Sequence, residues 1–179
     1  MIMDQPTDQE LVIQAQAGDN TSFAALVDRH YMTAYRFAFR WSRSREDAED
    51  ITQEVFVKLA RSLHLFDGRS QFTTWLYSIT ANCARDHARK NRRWAKEFTA
   101  DPPEEIAAAS PNPGPESNAM ARGIGKAIDE LPEKLKEAML LVYAEDLSHK
   151  EAARVIGCAE TTVSWRIFQA KRKLRKVLS

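Results

Sequence analysis

Between residues 97 and 117 the chain carries five prolines (Pro102, Pro103, Pro111, Pro113 and Pro115), several acids and almost no large apolar side chain. Such a stretch reads as a linker and cannot be part of a packed core. On both sides of it, apolar residues recur every three or four positions, the period of an amphipathic helix. The fold class this implies is all-α: two small helical domains, residues 1–96 and 118–179, joined by a flexible linker over 97–117. With 179 residues, 44% of them hydrophobic, the chain has enough apolar surface for one core or two small ones.

Composition excludes several classes. No run approaches the ~18 apolar residues of a membrane helix, and the opening ten residues are acidic and polar, unlike a secretory signal. A cytoplasmic protein with no membrane insertion of its own is expected. Cys83 and Cys158 lie far apart with no CxxC or nearby histidine spacing, so both read as small buried apolar residues rather than as a disulfide or zinc site. His30, His64, His87 and His149 show neither metal nor triad spacing. No catalytic residue, metal or cofactor is expected.

In the N-terminal half, Thr7 and Glu10 form a capping box that opens a short helix, which Gly18 closes. A second helix from about Ser22 places Phe23, Leu26, Val27, Tyr31, Tyr35, Ala38 and Phe39 on one broad face. Ser44 with Asp47 caps a third, whose core stripe is Ile51, Val55, Leu59 and Leu63. Its front is acidic: Glu46, Asp47, Glu49, Asp50 and Glu54 lie together. The helix dipole accounts for two or three of these carboxylates. The rest, with Gln53, make an anionic patch suited to a basic protein partner.

A turn through Phe66, Asp67, Gly68, Arg69 and Ser70 leads into a helix over 72–93. Phe72, Trp75, Leu76, Ile79 and Cys83 fall on its core stripe. Arg85, Arg89, Lys90, Arg92, Arg93 and Lys96 crowd its end against Asp86 alone, a local positive field in a chain of net charge +1. That end suits a polyanion. Asn82 both donates and accepts hydrogen bonds, and Trp75, Tyr77 and Phe72 offer flat faces for an unstacked base.

In the C-terminal half, Ile124, Ala127, Ile128 and Leu131 begin the helical pattern and Pro132 starts a new helix at a first-turn position. Leu135, Met139, Leu140, Val142 and Tyr143 carry its packing. Ser148 with Glu151 caps a helix that turns Ala152, Val155 and Ile156 inward, Gly157 makes a tight turn, and a last helix from about Glu160 buries Val163, Ile167, Ala170, Leu174 and Leu178. This is a helix-turn-helix pattern. Its outer face carries Thr162, Trp165, Arg166, Gln169 and Lys173, and its tail adds Lys171, Arg172, Arg175 and Lys176 for phosphates. The linker, if extended, spans about 65 Å at ~3.1 Å per residue, roughly two turns of DNA at ~34 Å each.

Taken in order, three stretches resemble the extracytoplasmic-function group of the sigma-70 family, which keeps only regions two and four. Residues 47–59 (DAEDITQEVFVKL) are similar to region 2.2, residues 66–93 (FDGRSQFTTWLYSITANCARDHARKNRR) to regions 2.3 and 2.4, and residues 131–157 (LPEKLKEAMLLVYAEDLSHKEAARVIG) to the first part of region four. The resemblance implies docking on core RNA polymerase through the region 2.2 patch, with Asp50, Gln53 and Glu54, beside Asp47, on the clamp helices of the largest subunit. It implies that Phe66, Gly68, Ser70 and Asn82, with Trp75 as stacking face, hold a base flipped from the minus-ten element. Arg89, Arg92 and Arg93 then lie on promoter backbone. Thr161, Thr162, Ser164, Trp165, Arg166, Gln169 and Lys173 are the residues it places at the minus-thirty-five element. The partners implied are core RNA polymerase, promoter DNA and an anti-sigma factor.

One place departs from the family. Its recognition helix commonly has a serine N-cap and Gly-Thr-Val-Lys-Ser-Arg, where this chain has Ala159, then Thr161, Thr162, Val163, Ser164, Trp165 and Arg166. Losing the capping hydroxyl costs ~1 kcal/mol. The indole is too bulky for serine's contacts, so it either packs on DNA sugars or thymine methyls or meets a protein that occludes the helix. The rival reading is a free-standing helix-turn-helix regulator whose N-terminal domain senses a ligand or dimerises. A sensor needs a pocket or dimer face, however, and this domain joins an acidic helix to an aromatic and then basic one.

Overall fold

The computed structural model of the protein describes residues 5–98 and 117–178, and every regular element among them is helical. The chain divides into two compact units, Met1–Asn91 and Arg92–Ser179. In the first unit α1 (Asp8–Gln16), α2 (Asn20–Ser42) and α3 (Arg45–Ser62) are followed by a 3-10 turn (Leu63–Leu65) and α4 (Phe72–Phe98), whose last residues, from Arg92 on, run past the division. The second contains α5 (Ser117–Asp129), α6 (Glu133–Met139), a π turn (Leu140–Ala144), α7 (His149–Ile156) and α8 (Glu160–Leu178). The segment expected as linker is helical at its two ends: α4 runs on to Phe98, and Ser117 already belongs to α5. Residues 99–116, the body of that linker, lie outside the described residues.

The start signals of the first unit are local and the chain obeys them. Thr7 N donates to Glu10 Oε2 at 2.7 Å, and Glu10 N returns a bond to Thr7 Oγ1 at 3.3 Å. Gly18 follows α1 at φ +98°, a left-handed conformation that favours glycine. Asp19, not foreseen as a cap, accepts from Thr21 and Ser22 backbone N–H groups and starts α2 two residues early. Ser44 Oγ accepts from Asp47 N at 3.2 Å to start α3.

Helix α2 buries Leu26 and Ala38 as expected, but the rest of its buried stripe differs from the expected one. Ser22, Leu26, His30, Ala34, Phe37, Ala38 and Trp41 face inward; Phe23, Val27, Tyr35 and Phe39 are half-buried, and Tyr31 is exposed, stacked on Phe56 of α3. The polar members Ser22 and His30 hid this stripe from an apolar count. His30 is tolerated inside because its Nε2 meets Asp8 Oδ2 at 2.8 Å, while Arg29 Nη1 donates to Asp8 Oδ1 at 2.7 Å. Helix α3 packs against α2 with Ile51, Val55 and Leu59 buried, and α4 meets it through Phe72 on His30 and Tyr77 on Phe37. Leu76, Ala81, Cys83 and Ala84 of α4 are buried too, all seven aliphatic and small residues within about one per cent of complete burial. A fully buried Leu, Ile or Phe contributes ~1.5–3 kcal/mol. The buried Thr52 and Thr80 hydroxyls donate back to the carbonyls of Ala48 and Leu76, so neither is left unsatisfied.

In the second unit Leu131, Leu135 and Ala170 form a core joined by Met139 and Leu174. Pro132 is the N-cap of α6 rather than a residue of its first turn; its carbonyl accepts from Leu135 N and Lys136 N. The expected packing positions fail in part just beyond. Leu140 is buried as expected, but the π turn inserts an extra residue into the helical period, so Leu141 is buried in place of Val142, which is half-buried, and Tyr143 is turned out, 51% exposed. Ser148 and Glu151 make the expected capping box for α7. Gly157 ends it at φ +75° and α8 leaves at a new angle, completing the helix-turn-helix. Val163, Ile167 and Ala170 are buried on α8 as its spacing predicts, whereas Ile156 is only half-buried. Cys158 is also half-buried, contrary to its reading as a core residue; Cys83 is fully buried. Burial pushes the Cys83 thiol up to about 11. No helix among the described residues is long and apolar enough to cross a membrane.

Candidate functional site

The acidic front of α3 is built by two needs at once. Its first turn must satisfy free N–H groups and favours carboxylates, and Ile51, Val55 and Leu59 must face inward, which leaves Asp50, Gln53 and Glu54 on the outside. All three are exposed. Asp47 differs from them: it is half-buried, with Oδ1 3.6 Å from His87 Nε2 on α4. Glu49 pairs with Arg45 at 2.9 Å. Glu54 accepts from Lys58 Nζ at 2.9 Å, a bond that holds the Lys58 ammonium above its ordinary value, and Lys58 also lies 3.6 Å from Asp86 of α4. These pairs are exposed and therefore weak. Val57, seven residues after Asp50 and 50% exposed, adds an apolar neighbour that the search for charge overlooked.

At the start of α4 an aromatic group gathers around Phe66. Its ring centroid lies 5.2 Å from Trp75 and 5.8 Å, edge-on, from Phe72; Phe72 in turn lies 5.1 Å from the His30 imidazole. Phe72 and Tyr77, expected to offer faces to a base, are core residues, 4% and 7% exposed, and Tyr77 packs on Phe37. Trp75 and Phe66 are half-buried. Of the three rings expected to face a base only Trp75 therefore keeps substantial surface, while Trp94, further along α4, is 58% exposed. Between Phe66 and α4, Asp67 Oδ1 accepts from Arg69 N at 3.0 Å, Gly68 sits at φ +74°, and Ser70 is half-buried. A side chain at 68 would find open space but a strained backbone.

Asn82 lies seven residues after Trp75, hence on the same face of α4 about 10 Å further along. It is exposed, and its Oδ1 accepts from Arg85 Nη2. Beyond it Arg89, Lys90, Arg92 and Arg93 are exposed, with Arg89 3.8 Å from Asp86. One helix thus carries, in order, an aromatic face, an amide and a row of cations.

On α8, Thr161, Ser164, Trp165 and Lys173 are exposed, while Thr162, Arg166 and Gln169 are half-buried. The Ser164 hydroxyl lies 2.8 Å from His149 Nδ1 and 3.2 Å from the Glu160 carbonyl, so it also ties α7 to α8. Arg166 Nη1 is shut off from solvent, and only part of its guanidinium faces outward. Ala159 supplies no side-chain cap; its carbonyl accepts from Thr162 N and Val163 N. Two features were missed. Phe168, one turn from Trp165, is 62% exposed beside the indole's 58%, and its three-residue spacing from Trp165 was the signal. Lys171, expected on phosphate, holds its ammonium 5.0 Å from the centre of the Tyr143 ring. Among the described residues no three His, Cys, Asp or Glu side chains are grouped to hold a metal ion.

Two family models match the chain, Sigma-70 region 2 over residues 26–94 and Sigma-70, region 4 over residues 121–174, together more than half of it. The RNA polymerase sigma-H factor of Pseudomonas aeruginosa is 33% identical, over 99% of this chain and 96% of its own. The ECF RNA polymerase sigma-E factor of Haemophilus influenzae is 34% identical, over 96% of this chain and 95% of its own. Among solved structures, CnrH in complex with the cytosolic domain of CnrY is similar at 27% identity and TM-score 0.71, over 96% of both chains. The sigma factor RpoE of Bartonella quintana, in complex with the anti-sigma factor NepR, shares the fold at 24% identity and TM-score 0.73, over 87% of this chain and 96% of its own.

Proposed function

This chain belongs to the extracytoplasmic-function group of the sigma-70 family and is an RNA polymerase sigma factor, and on that footing we propose how its residues divide the work. Residues 1–96 form the region-two domain and residues 118–179 the region-four domain, with 97–117 as linker. Asp50, Gln53 and Glu54 dock on core polymerase, with Val57 as an apolar contact and Asp47 in a supporting place at the helix front. Phe66, Gly68, Ser70, Trp75 and Asn82 hold the minus-ten base, and Arg89, Arg92 and Arg93 follow the promoter backbone. Thr161, Thr162, Ser164, Trp165, Arg166, Gln169 and Lys173 meet the minus-thirty-five element.

The observation that carries the region-two reading is the order along α4: Trp75 keeps surface at the mouth of the Phe66 cluster, Asn82 shares its face, and exposed arginines follow. Extruding a base costs a few kcal/mol, and stacking on an aromatic side chain returns ~1–3 kcal/mol per base. An amide beside the ring adds hydrogen bonds to the base edge, and the cations hold the backbone against re-annealing. Opening DNA in this way consumes no nucleotide, so the protein acts as a binding subunit without catalytic residues or cofactor. It acts in the cytoplasm, where RNA polymerase meets promoters. The free-standing regulator is displaced by the family match. Reconstitution with core polymerase tests the reading: the purified chain should confer promoter-specific transcription on the core enzyme and show no operator binding of comparable strength alone.

RpoE and CnrH are each held by a partner polypeptide in their structures. We extend this to the present chain: an anti-sigma factor restrains it, with Trp165 and Phe168 as anchors on α8. Exposed aromatics one turn apart suit a protein interface, where Trp and Phe are enriched, better than they suit water. Co-purification of the chain with its native partner, lost when Trp165 is truncated, is the corresponding test.

A further inference from the structure

Helix α1 lies outside the region-two match, which begins at residue 26, yet it reaches the turn that carries Phe66. Gln16, its last residue, donates from Nε2 to the carbonyls of Leu63 and Phe66, 2.9 Å each. Both acceptors are carbonyl oxygens, so the side-chain atom between them is the amide nitrogen and both its hydrogens are used. Gln16 is presented from a fixed frame. Leu11 and Val12 are buried, Asp8 is bound by Arg29 and His30, the Pro6 carbonyl accepts from Arg29 at 2.8 Å, and Gln14 Oε1 accepts from Ser22 Oγ at 2.6 Å. The two carbonyls bracket the 3-10 turn Leu63–Leu65, after which the backbone enters the loop bearing Gly68 and Ser70.

We propose that Gln16 is a positioning residue for minus-ten opening: its amide fixes the 63–66 backbone so that Phe66 stays against Trp75 and the following loop meets the extruded base in one geometry. The proposal rests on the minus-ten reading given above. Without these bonds the turn is held at its Phe66 end by ring packing and the Phe66 N to Leu63 O bond of 3.1 Å. Such a loop still folds, but samples more positions, and base selection suffers before assembly does.

The test uses the full chain reconstituted with core polymerase. Gln16→Met keeps side-chain length and removes both donors; Gln16→Glu sets a carboxylate against two carbonyl oxygens. Opening is timed on duplex and on pre-melted promoter, and single-stranded minus-ten oligonucleotides with the matched or a substituted base give a selectivity ratio. Gln16→Met should assemble with parental affinity, open duplex about fivefold more slowly, lose selectivity by a similar factor and recover part of the rate on the pre-melted template. Gln16→Glu should be worse on each count except assembly. Phe66→Ala runs alongside. If Phe66→Ala opens and selects like the parent, the minus-ten reading fails and the proposal with it. If Phe66→Ala is impaired while Gln16→Met matches the parent, only the role of Gln16 is overturned. Equal slowing of Gln16→Met on both templates, with selectivity intact, also overturns it, because that is the signature of a merely stabilising contact.

Discussion

Replacing Trp75 by alanine separates base stacking from folding. The indole is half-buried, 5.2 Å from the Phe66 centroid and 6.2 Å from that of Phe72. A fully buried Trp→Ala change costs about 3–5 kcal/mol, so a ring covered over half its surroundings is expected to cost ~2 kcal/mol. A domain of ordinary stability, ~5–15 kcal/mol, stays folded at that cost, with an unfolding temperature roughly 8–16 °C lower. Loss of a stacked base removes ~1–3 kcal/mol, which at ~1.4 kcal/mol per factor of ten slows opening ~5- to 150-fold. Permanganate reactivity of unpaired thymines, followed at a temperature where the variant is folded, measures opening on duplex and on a template carrying a pre-melted minus-ten segment. The duplex rate should fall within that range and the pre-melted template should recover part of it. A parental opening rate accompanied by the lower unfolding temperature refutes the stacking role, and so does an equal slowing on both templates, because either result leaves the indole only its packing on Phe66.

Reversing the exposed charges of α3, Asp50→Lys with Glu54→Lys, should abolish holoenzyme assembly while changing stability by only ~0.5–1 kcal/mol, since the Glu54–Lys58 pair lost is exposed; full-affinity assembly by the double variant rules the docking patch out. Trp165→Ala should weaken binding of the restraining partner and raise activity in cells, whereas reduced activity with full partner affinity moves the indole to the promoter. For Asp8, burial pushes the carboxyl up, but the hydrogen bonds from Arg29 and His30 outweigh it and hold the group below its ordinary 3.8. A depressed carboxylate adds stability above its unfolded value and loses it as pH falls through the folded one, so Asp8→Asn should lower stability at neutral pH and flatten part of its fall below about pH 4. Thermal unfolding at a series of pH values reads both effects, and an unchanged acid limb refutes the assignment. Gly157→Ala meets no neighbouring atom but keeps a left-handed backbone, so it should cost the second unit ~1–2 kcal/mol in denaturant unfolding, and a neutral result contradicts the conformational argument.

Much of the fold can be read directly from the residues because its signals are local. The capping pairs Thr7 with Glu10 and Ser148 with Glu151, the glycines that end α1 and α7, and the α3 stripe Ile51, Val55, Leu59 and Leu63 each depend on residues within a turn or two of one another. Exposure of Asp50, Gln53 and Glu54 follows from that stripe, since a helix cannot turn both faces inward. The order of aromatic, amide and cation along α4 is likewise a property of the chain and needs no partner element. Those features, with the helix-turn-helix spacing, were sufficient to point to the family.

What the chain alone did not decide depends on residues distant in sequence. Phe72 and Tyr77 look like available rings until His30 and Phe37, on another helix, cover them. The buried face of α2 includes His30 because Asp8, 22 residues away, supplies its partner, and periodicity counts apolar residues without seeing such compensation. The π turn at Leu140–Ala144 rotates Tyr143 out of the core and brings Leu141 in, a shift to which a fixed helical period is blind. Gln16 holds the Phe66 carbonyl across 50 residues, a contact that leaves no mark in the local pattern at either end. Local chemistry settles where helices begin, end and turn an apolar face, since those choices are made within one or two turns of backbone. Which rings stay open to a base, and what holds their loop in place, is decided only when remote segments pack and compete for the same surface.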